Sequence, residues 1–431
     1  MSHTPNLLLQ NVRPIGGNFD GTDTVDIRIA EGQIVEISAE LDSKEDEELH
    51  DANGSYLSGG WMDMHVHLRE PGYEHKETIE TGCKSAAFGG FTEVACMPNT
   101  NPAIDSRDVV EFVKNNAEQF SVDVHPIGCV SKERKGKSIA EMGDMKEGGA
   151  VAFSDDGDPV YNSQLMRVAL EYSSMLDMPI INHEEDLKLS RPGHMHEGRV
   201  SARLGLDGTP GIAEETMIAR DILLAKFTGG HIHVAHISTA KAVDLVRQAK
   251  ADGVNVTTEV CPHHFDLTDE EIERRDFDTN VKMHPPLRTQ KDVEAMIEGL
   301  ADGTIDAICT DHAPHAIQEK EVEFIYAPNG IIGLETAWSI SVRQLLDSGA
   351  LELAELITKF VEKPREILNI DIPKIEEGTP ANLTLFNTDQ EWSYREELVQ
   401  SKSHNSPYLG ESLKGRAEAI YNNGQFVINT I

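Results

Sequence analysis

Short runs in which apolar and polar residues alternate open and close the chain. Residues 6 to about 58 contain the runs NLLLQNV, TVDIRIA and GQIVEISAE, which are separated by Gly and Asp and are typical of strands joined by tight turns. Roughly the last sixty residues repeat the pattern in ANLTLFN and EAIYNNGQFVI, where Asn-Asn-Gly provides the turn. The pattern predicts one small β-sandwich domain to which residues 1–58 and 371–431 both contribute.

Residues 59–370 follow a different pattern, in which an apolar strand, a polar loop and an amphipathic helix recur. The helical runs include SQLMRVALEYSSML and TAKAVDLVRQAKA. The strand candidates are WMDMHVHL, TEVACMP, DVHPIGCV, GAVAFSD, PIINHE, HIHVAHI, VTTEVCP and DAICTDH. Eight strand-helix units over roughly 300 residues predict an α/β fold with a (β/α)8 TIM barrel. A doubly wound sheet is the alternative, but no Gly-rich phosphate loop follows the first strand.

The amino-acid composition and net charge exclude some classes of function. The chain has 431 residues, of which 39% are hydrophobic, and Asp and Glu outnumber Lys and Arg by 74 to 38. Because the resulting net charge of −36 repels phosphate backbones and anionic lipid surfaces, we expect neither nucleic-acid nor membrane binding. The cysteine count of 5 is low and odd, which does not fit a disulfide framework and favours a cytoplasmic location.

Two histidines close the first barrel strand. His65 and His67 are two residues apart, so on a strand both imidazoles point to the same face and can reach one metal ion. Further candidate ligands end other strands: Asp155 or Asp156 the fourth, His183 the fifth, His236 the sixth and Asp311 the eighth. All lie at the carboxyl ends of strands, the rim where a TIM barrel builds its active site.

His231 and His233 share the sixth strand with His236 but have the opposite parity. Alternation along a strand therefore predicts that both face away from the barrel interior. A set of imidazoles and carboxylates on the rim suits Zn²⁺, and two ions could share a bridging carboxylate.

A series of motifs along the chain resembles a known family. The segments GGWMDMHVHLREPG, CMPNTNP, AFSDDGDPV, INHEED, HVAHIST, EVCPHH and CTDHAPH, in this order, are similar to the amidohydrolase superfamily and, within it, to the bacterial class I dihydroorotases. The H-x-H pair alone indicates only an amidohydrolase, whereas the combination of HLREPG with TDHAPH is far more specific. The resemblance runs nearly end to end and includes GTPANLTLFN in the C-terminal part of the β-domain.

The resemblance implies a set of roles. Dihydroorotases hydrolyse the cyclic amide of dihydroorotate to N-carbamoyl-aspartate, reversibly, in pyrimidine biosynthesis. The attack would come from a hydroxide that bridges the metals, with Asp311 as base and then acid. In this family, two zinc ions per subunit would be held by His65, His67, Asp156, His183, His236 and Asp311. Asp156 is preferred to Asp155 because its distance in sequence from His183 matches the family. Substrate would be bound by Arg69, Asn99, His284, His315, Asn329 and Gly330.

Two positions depart from the family pattern. His284 stands where relatives commonly have Asn, and Asn329 stands where Phe is usual, so the contacts with the substrate ring are the part of the resemblance that transfers least well. The resemblance also implies a small anionic substrate, a homodimer and an association with aspartate transcarbamoylase.

Two other functions remain open. An allantoinase or hydantoinase is the nearest, but those enzymes usually bridge their metals with a carboxylated lysine where this chain has Ser154-Asp155-Asp156, and they have no specific need for Arg69. The second is a metal-free relative that serves as a scaffold for aspartate transcarbamoylase. The presence of all six candidate ligands argues against it.

Overall fold

The computed structural model describes residues 6–430. The strands in chain order are β1 (Asn6–Gly16), β2 (Phe19–Asp20), β3 (Val25–Ala30), β4 (Gln33–Ser38), β5 (Glu47–Asp51), β6 (Tyr56–Gly59), β7 (Trp61–Val66), β8 (Phe91–Cys96), β9 (Asp123–Gly128), β10 (Ala152–Ser154), β11 (Ile180–Asn182), β12 (Met195–His196), β13 (Gly208–Thr209), β14 (Ile232–Val234), β15 (Val256–Val260), β16 (Ala307–Ile308), β17 (Leu383–Ser393), β18 (Ser412–Asn422) and β19 (Gln425–Ile428). The α-helices are α1 (Ile79–Gly89), α2 (Arg107–Ala117), α3 (Met142–Gly148), α4 (Ser163–Met175), α5 (Leu187–Ser190), α6 (Arg199–Leu204), α7 (Ile212–Thr228), α8 (Ala240–Ala251), α9 (Glu271–Arg274), α10 (Gln290–Ala301), α11 (Ile317–Lys320), α12 (Ala337–Ser341), α13 (Leu353–Val361) and α14 (Lys363–Leu368).

Eight parallel strands form the barrel. Their order in the sheet is β7, β8, β9, β10, β11, β14, β15 and β16, which matches the eight strands that the sequence predicts. The sheet closes where a parallel bridge joins Val66 to His312, and the backbone N–H of His67 donates a hydrogen bond to His312 O at 2.9 Å. The predicted α/β barrel is therefore confirmed.

Helices cover the outside of the barrel where the sequence predicts them. The run SQLMRVALEYSSML forms α4, which begins after Asn162 because the Asn162 side chain accepts hydrogen bonds from the backbone of Gln164 and Leu165. Helix α10 begins in the same way, with a capping box between Thr289 and Asp292. Across residues 6–430, none of the helices combines the length and the apolar character needed to cross a bilayer.

A second, nine-stranded sheet joins the two ends of the chain. Its order is β19, β18, β17, β6, β1, β3 and β4, with β2 and β5 paired to β1. The two ends meet where β6 and β17 pair in antiparallel register, from Gly59 opposite Leu383 to Tyr56 opposite Phe386. The predicted small β-domain formed by both chain ends is confirmed, and its exact boundaries at residues 58 and 371 stay a prediction.

Small and flexible apolar side chains fill the interior of the barrel. Met62, Met64, Ala95, Ile181 and Cys309 belong to this buried cluster. Because the interior is packed in this way, the barrel is not a pore, and the side chains available for chemistry are those at its carboxyl-terminal rim.

The prediction that His231 and His233 face away from the barrel interior is wrong. His233 lies opposite Ile181 in the parallel ladder, and Ile181 is part of the interior cluster. Both imidazoles contact the Thr257 hydroxyl on the neighbouring strand, at 2.7 Å from His231 Nε2 and 2.8 Å from His233 Nδ1. The strand ends at Val234 and His236 has a φ of 29°, so the alternation of side chains does not extend to His236.

The buried carboxylate of Glu93, on β8, links the barrel to the β-domain. The guanidinium of Arg365, on α14, donates to Glu93 Oε1 from Nη2 at 2.8 Å, and its side chain has no exposed surface. Asn382, just before β17, donates to the same carboxylate oxygen at 2.9 Å, and His125 lies 2.8 Å from the other oxygen. The hydrogen bond with His125 and the charge of Arg365 outweigh the effect of burial and hold the pKa of Glu93 at about 2.

We expect Arg365→Met to destabilise the protein by about 3 to 5 kcal/mol, because it leaves the Glu93 carboxylate buried without its cation. Arg107→Met is the matched control, since Arg107 pairs with Glu111 on an exposed helix face and should lose less than about 1 kcal/mol. Denaturant unfolding of both variants measures the difference. Equal losses would contradict a structural role for the buried pair.

Candidate active site

The carboxyl ends of five barrel strands bring together the six candidate metal ligands. Each ligand follows or ends a strand, and each is buried. His65 lies near the end of β7 and His67 follows it. Asp156 follows β10, His183 follows β11, His236 follows β14, and Asp311 follows β16.

Two histidines and two carboxylates form one half of this cluster. His67 Nε2 lies 2.9 Å from Asp311 Oδ1 and 3.6 Å from Asp156 Oδ2. His65 Nε2 lies 3.6 Å from the same oxygen of Asp156 and 3.7 Å from Asp311 Oδ1. The four donor atoms therefore point at one small volume.

The second half is built on the other oxygen of Asp156. Asp156 Oδ1 lies 3.5 Å from His183 Nδ1 and 3.4 Å from His236 Nε2, and these two nitrogens are 3.0 Å apart. One carboxylate thus faces both pairs of imidazoles, the arrangement that a bridging ligand requires. Asp155 points elsewhere, because its carboxylate accepts hydrogen bonds from the backbone and hydroxyl of Ser131.

The donor atoms fit a metal ion. His65 Nδ1 is occupied by Glu259 Oε1 at 2.6 Å, which leaves the buried Nε2 without a hydrogen-bond partner among residues 6–430. A buried ring nitrogen in that state costs free energy unless a ligand or ion satisfies it. Imidazole nitrogen and carboxylate oxygen are ligands that zinc takes in catalytic sites.

Three residues that sequence reasoning missed or read differently hold the ligands in place. Glu259 accepts from His65, Asn99 Oδ1 lies 2.8 Å from His67 Nδ1, and Glu185 Oε2 lies 3.5 Å from His183 Nε2. Such partners fix the tautomer and orientation of a ligating imidazole. Glu259 could have been noticed as an acid inside the apolar strand VTTEVCP, whereas Glu185 is one of three adjacent acids in INHEED and carries no distinguishing signal.

Charges within the cluster keep both aspartates ionised. Burial by itself raises the pKa of Asp311, but the hydrogen bond from His67 and the nearby imidazoles outweigh it and bring the pKa to about 2. The same competition, with His65 as the strongest opposing influence, holds the pKa of Asp156 well below its usual range. Carboxylates that are ionised at neutral pH are ready to bind a cation.

A cavity of about 330 Å³ opens above the cluster. All six predicted substrate-side residues line its wall, together with five of the six candidate ligands. The substrate-side residues are Arg69, Asn99, His284, His315, Asn329 and Gly330. The structure therefore brings the two predicted sets together in one concave site.

The wall places the guanidinium of Arg69 near two imidazoles that stay neutral, those of His284 and His315. Burial lowers the pKa of Arg69 to about 10, so its guanidinium remains charged at neutral pH, and its Nε donates to Pro314 O at 3.2 Å. Burial and the nearby Arg69 and Lys76 lower the pKa of His315 to about 2. Burial also lowers the pKa of His284, which stacks on His183 and lies 3.2 Å from Glu185.

Comparison with known proteins identifies the family. The model of the dihydro-orotase-like family matches residues 54–242. The dihydroorotase of Citrifermentans bemidjiense is 48% identical over 423 residues, which cover 98% of this chain and 99% of the relative. The chain belongs to the dihydroorotase family. The dihydroorotase of Syntrophus aciditrophicus is 50% identical over 412 residues, covering 95% and 96% of the two chains.

Solved structures extend the likeness beyond dihydroorotases. The L-hydantoinase (dihydropyrimidinase) from Arthrobacter aurescens superposes with a TM-score of 0.87 and 24% identity, covering 99% of this chain and 96% of that one. The dihydropyrimidinase from Brevibacillus agri gives a TM-score of 0.83 and 21% identity, covering 98% and 95%. At these identities the likeness shows a common fold. The identity with dihydroorotases makes this chain a cyclic amidohydrolase. Its buried His/Asp cluster indicates a metal cofactor.

We expect Glu259→Gln to weaken metal affinity by about 10-fold, because an uncharged amide polarises and orients the His65 imidazole less strongly than a carboxylate. The control is Asp266→Asn, which makes the same chemical change at a carboxylate paired with Arg343 and Tyr408 outside the cluster. Competition with a zinc chelator measures both affinities. Equal affinities in the two variants would show that Glu259 does not support His65.

Proposed function

We propose that this chain is a dihydroorotase that hydrolyses the cyclic amide of (S)-dihydroorotate to N-carbamoyl-L-aspartate, reversibly, in pyrimidine biosynthesis. The observation that carries the proposal is the meeting, at one cavity, of a six-residue imidazole and carboxylate cluster with the half-buried guanidinium of Arg69. The cluster suits amide hydrolysis, and the guanidinium suits the carboxylate that distinguishes dihydroorotate from carboxylate-free cyclic amides.

Amide hydrolysis is slow because an amide carbonyl is a weak electrophile and water is a weak nucleophile. Two zinc ions per subunit, when bound by the six ligands, supply a Lewis acid for the carbonyl and lower the pKa of water. Asp311, ionised and next to His67, accepts the proton of the attacking water. The same carboxyl then delivers this proton to the departing ring nitrogen, and in the reverse direction it takes the proton back.

The cavity wall orients the substrate. Arg69 pairs with the exocyclic carboxylate, an interaction that a guanidinium makes in bidentate fashion. Asn99 places its amide nitrogen toward the same carboxylate while its oxygen faces His67. His284, His315, Asn329 and Gly330 form the wall against which the ring packs.

A hydantoinase with a carboxylated lysine as metal bridge is disfavoured by two observations. The strand-four segment 150–156 contains no lysine. Lys146, the nearest lysine before it, belongs to α3 and donates from Nζ to Leu176 O at 2.6 Å, at the far end of α4. Asp156 is the residue of this segment that faces both halves of the cluster.

Further proposals concern the setting of the enzyme. The five cysteines are buried thiols with no disulfide among them, which supports a reducing cytoplasm. Met175, Leu223 and Phe227 are large apolar side chains exposed on α4 and α7, which supports a homodimer. An association with aspartate transcarbamoylase rests on the family resemblance alone.

The direct test is ring opening of L-dihydroorotate by purified protein. We expect turnover that a chelator abolishes and that zinc restores, equally well in CO₂-free buffer and with added bicarbonate, because an aspartate bridge needs no CO₂. A protein that binds zinc yet leaves dihydroorotate intact would refute the function. Activation that depends on bicarbonate would refute Asp156 as the bridge.

We expect Arg69→Ala to weaken the binding free energy of N-carbamoyl-L-aspartate by about 2 to 5 kcal/mol, the cost of losing one partner of a desolvated charge pair. For the same reason, KM for dihydroorotate should rise. Arg191→Ala is the matched control, because Arg191 lines the same cavity with a side chain that is 62% exposed. Calorimetry gives the affinity and steady-state kinetics give KM. If both variants bind like the parent protein, Arg69 does not contact the carboxylate.

A further inference from the structure

The chain between β17 and β18 leaves the β-domain and crosses the rim of the barrel. Residues 400–405 of this connection, here called the rim segment, are fixed by two buried carboxylates. Glu335 accepts hydrogen bonds from the backbone of Gln400 at 3.0 Å and of Ser401 at 2.9 Å. Glu77 accepts from the backbone of Lys402 at 3.1 Å and from the Ser401 hydroxyl. The rim segment is therefore held in a defined position beside the active site.

Asn405, at the end of the rim segment, directs its hydrogen bonds to the cavity wall. Its side chain is buried, and Oδ1 accepts from the backbone N–H of His315 at 3.0 Å. Its Nδ2 donates to Ala313 O and to Gly330 O, both at 3.0 Å. Its own carbonyl accepts from the backbone of Ile332 at 3.0 Å. One residue thus ties together the two stretches of chain that carry His315 and Gly330.

The contact between those two stretches is unusually close. Gly330 has a φ of 153°, and a Cβ at this position would lie 2.6 Å from Ala313 O and 2.7 Å from the ring of His315. His315 Nε2 lies 2.9 Å from Asn329 O. A small displacement of either stretch would therefore move the surface that the substrate ring meets.

Asp311 has supports that do not involve Asn405. The neighbouring Thr310 donates its backbone N–H to Asp63, at 3.1 Å from Oδ2, and His312 bridges to Val66 in the barrel sheet. His312 also bridges to Ile331, beside the residue whose backbone Asn405 binds, so these supports act alongside that link. A change at Asn405 is thus expected to reach the substrate wall before it reaches the base or the metal ligands.

We infer that Asn405 is a positioning residue that sets the substrate side of the cavity by holding His315 and Gly330 in register. The inference rests on the proposed dihydroorotase function for its kinetic readout. It assigns to the C-terminal part of the chain, outside the barrel, a share in binding the substrate.

The test replaces Asn405 by Asp, which has the same shape but turns the donor that faces two carbonyl oxygens into an acceptor. We expect KM for dihydroorotate to rise at least about 10-fold, since repulsion displaces the wall, while kcat changes less than about 3-fold and zinc content is unchanged. Asn429→Asp is the matched control. Asn429 is also buried and donates from Nδ2 to Ala87 O, Phe88 O and Ala417 O, away from the cavity.

Amide hydrogen exchange gives a readout that does not depend on activity. In Asn405→Ala, which loses the hydrogen bonds without adding charge, we expect faster exchange in the peptide covering residues 313–332 and unchanged exchange in β15. If Asn405→Asp does not fold, the kinetic criteria apply to Asn405→Ala.

An unchanged KM in Asn405→Asp, or a change in KM equal to that of Asn429→Asp, would overturn the inference. Unchanged exchange of residues 313–332 in Asn405→Ala would also overturn it. Failure of both Asn405 variants to fold would overturn it as well and would assign the residue a role in folding. A parent protein without activity on dihydroorotate would instead refute the proposed function and leave hydrogen exchange to decide on Asn405.

Discussion

The carboxylate of Asp156 lies between two pairs of imidazoles, and the site is organised around this one group. Each oxygen faces a different pair at 3.4 to 3.6 Å, so the position of one side chain determines the spacing of both halves. Aspartate is short, and it reaches the centre only because the backbone after β10 comes close to the ends of β7, β11 and β14. The barrel provides that approach, since the carboxyl ends of its parallel strands meet at one rim.

The buried metal-ligand cluster needs further polar groups around it, because each buried imidazole must have a hydrogen-bond partner. Behind His65 lies Glu259, whose second oxygen is 3.4 Å from His233 Nε2, and behind His183 lies Glu185, which also contacts His284. These carboxylates compensate the imidazoles in a region that water does not screen. A net charge of −36 is compatible with the proposed anionic substrate, because the guanidinium of Arg69 acts on it over a few ångströms inside the cavity, whereas surface charge is screened by salt.

Much of this arrangement could be predicted from local sequence. Hydrophobic periodicity identified the eight strands, and the candidate ligands stood out because each polar residue ends an apolar run. The error at His231 and His233 arose because parity was counted backward from His236, which lies beyond the end of β14. Glu259 and Asn405 were missed for a different reason. Glu259 contacts His65, which lies 194 positions away in the sequence, and Asn405 contacts His315, which lies 90 positions away. A single sequence contains no record of such pairings.

The pairing of β6 with β17 has a consequence for how the protein is made. Strand β6 immediately precedes the first barrel strand, yet its neighbour Leu383 leaves the ribosome more than three hundred residues later. Any part of the barrel that assembles before β17 is made does so beside a β6 edge that still lacks its β17 partner, and unpaired strand edges are prone to wrong associations. Closure of this sheet is the step at which the newly made chain first has both of its ends engaged.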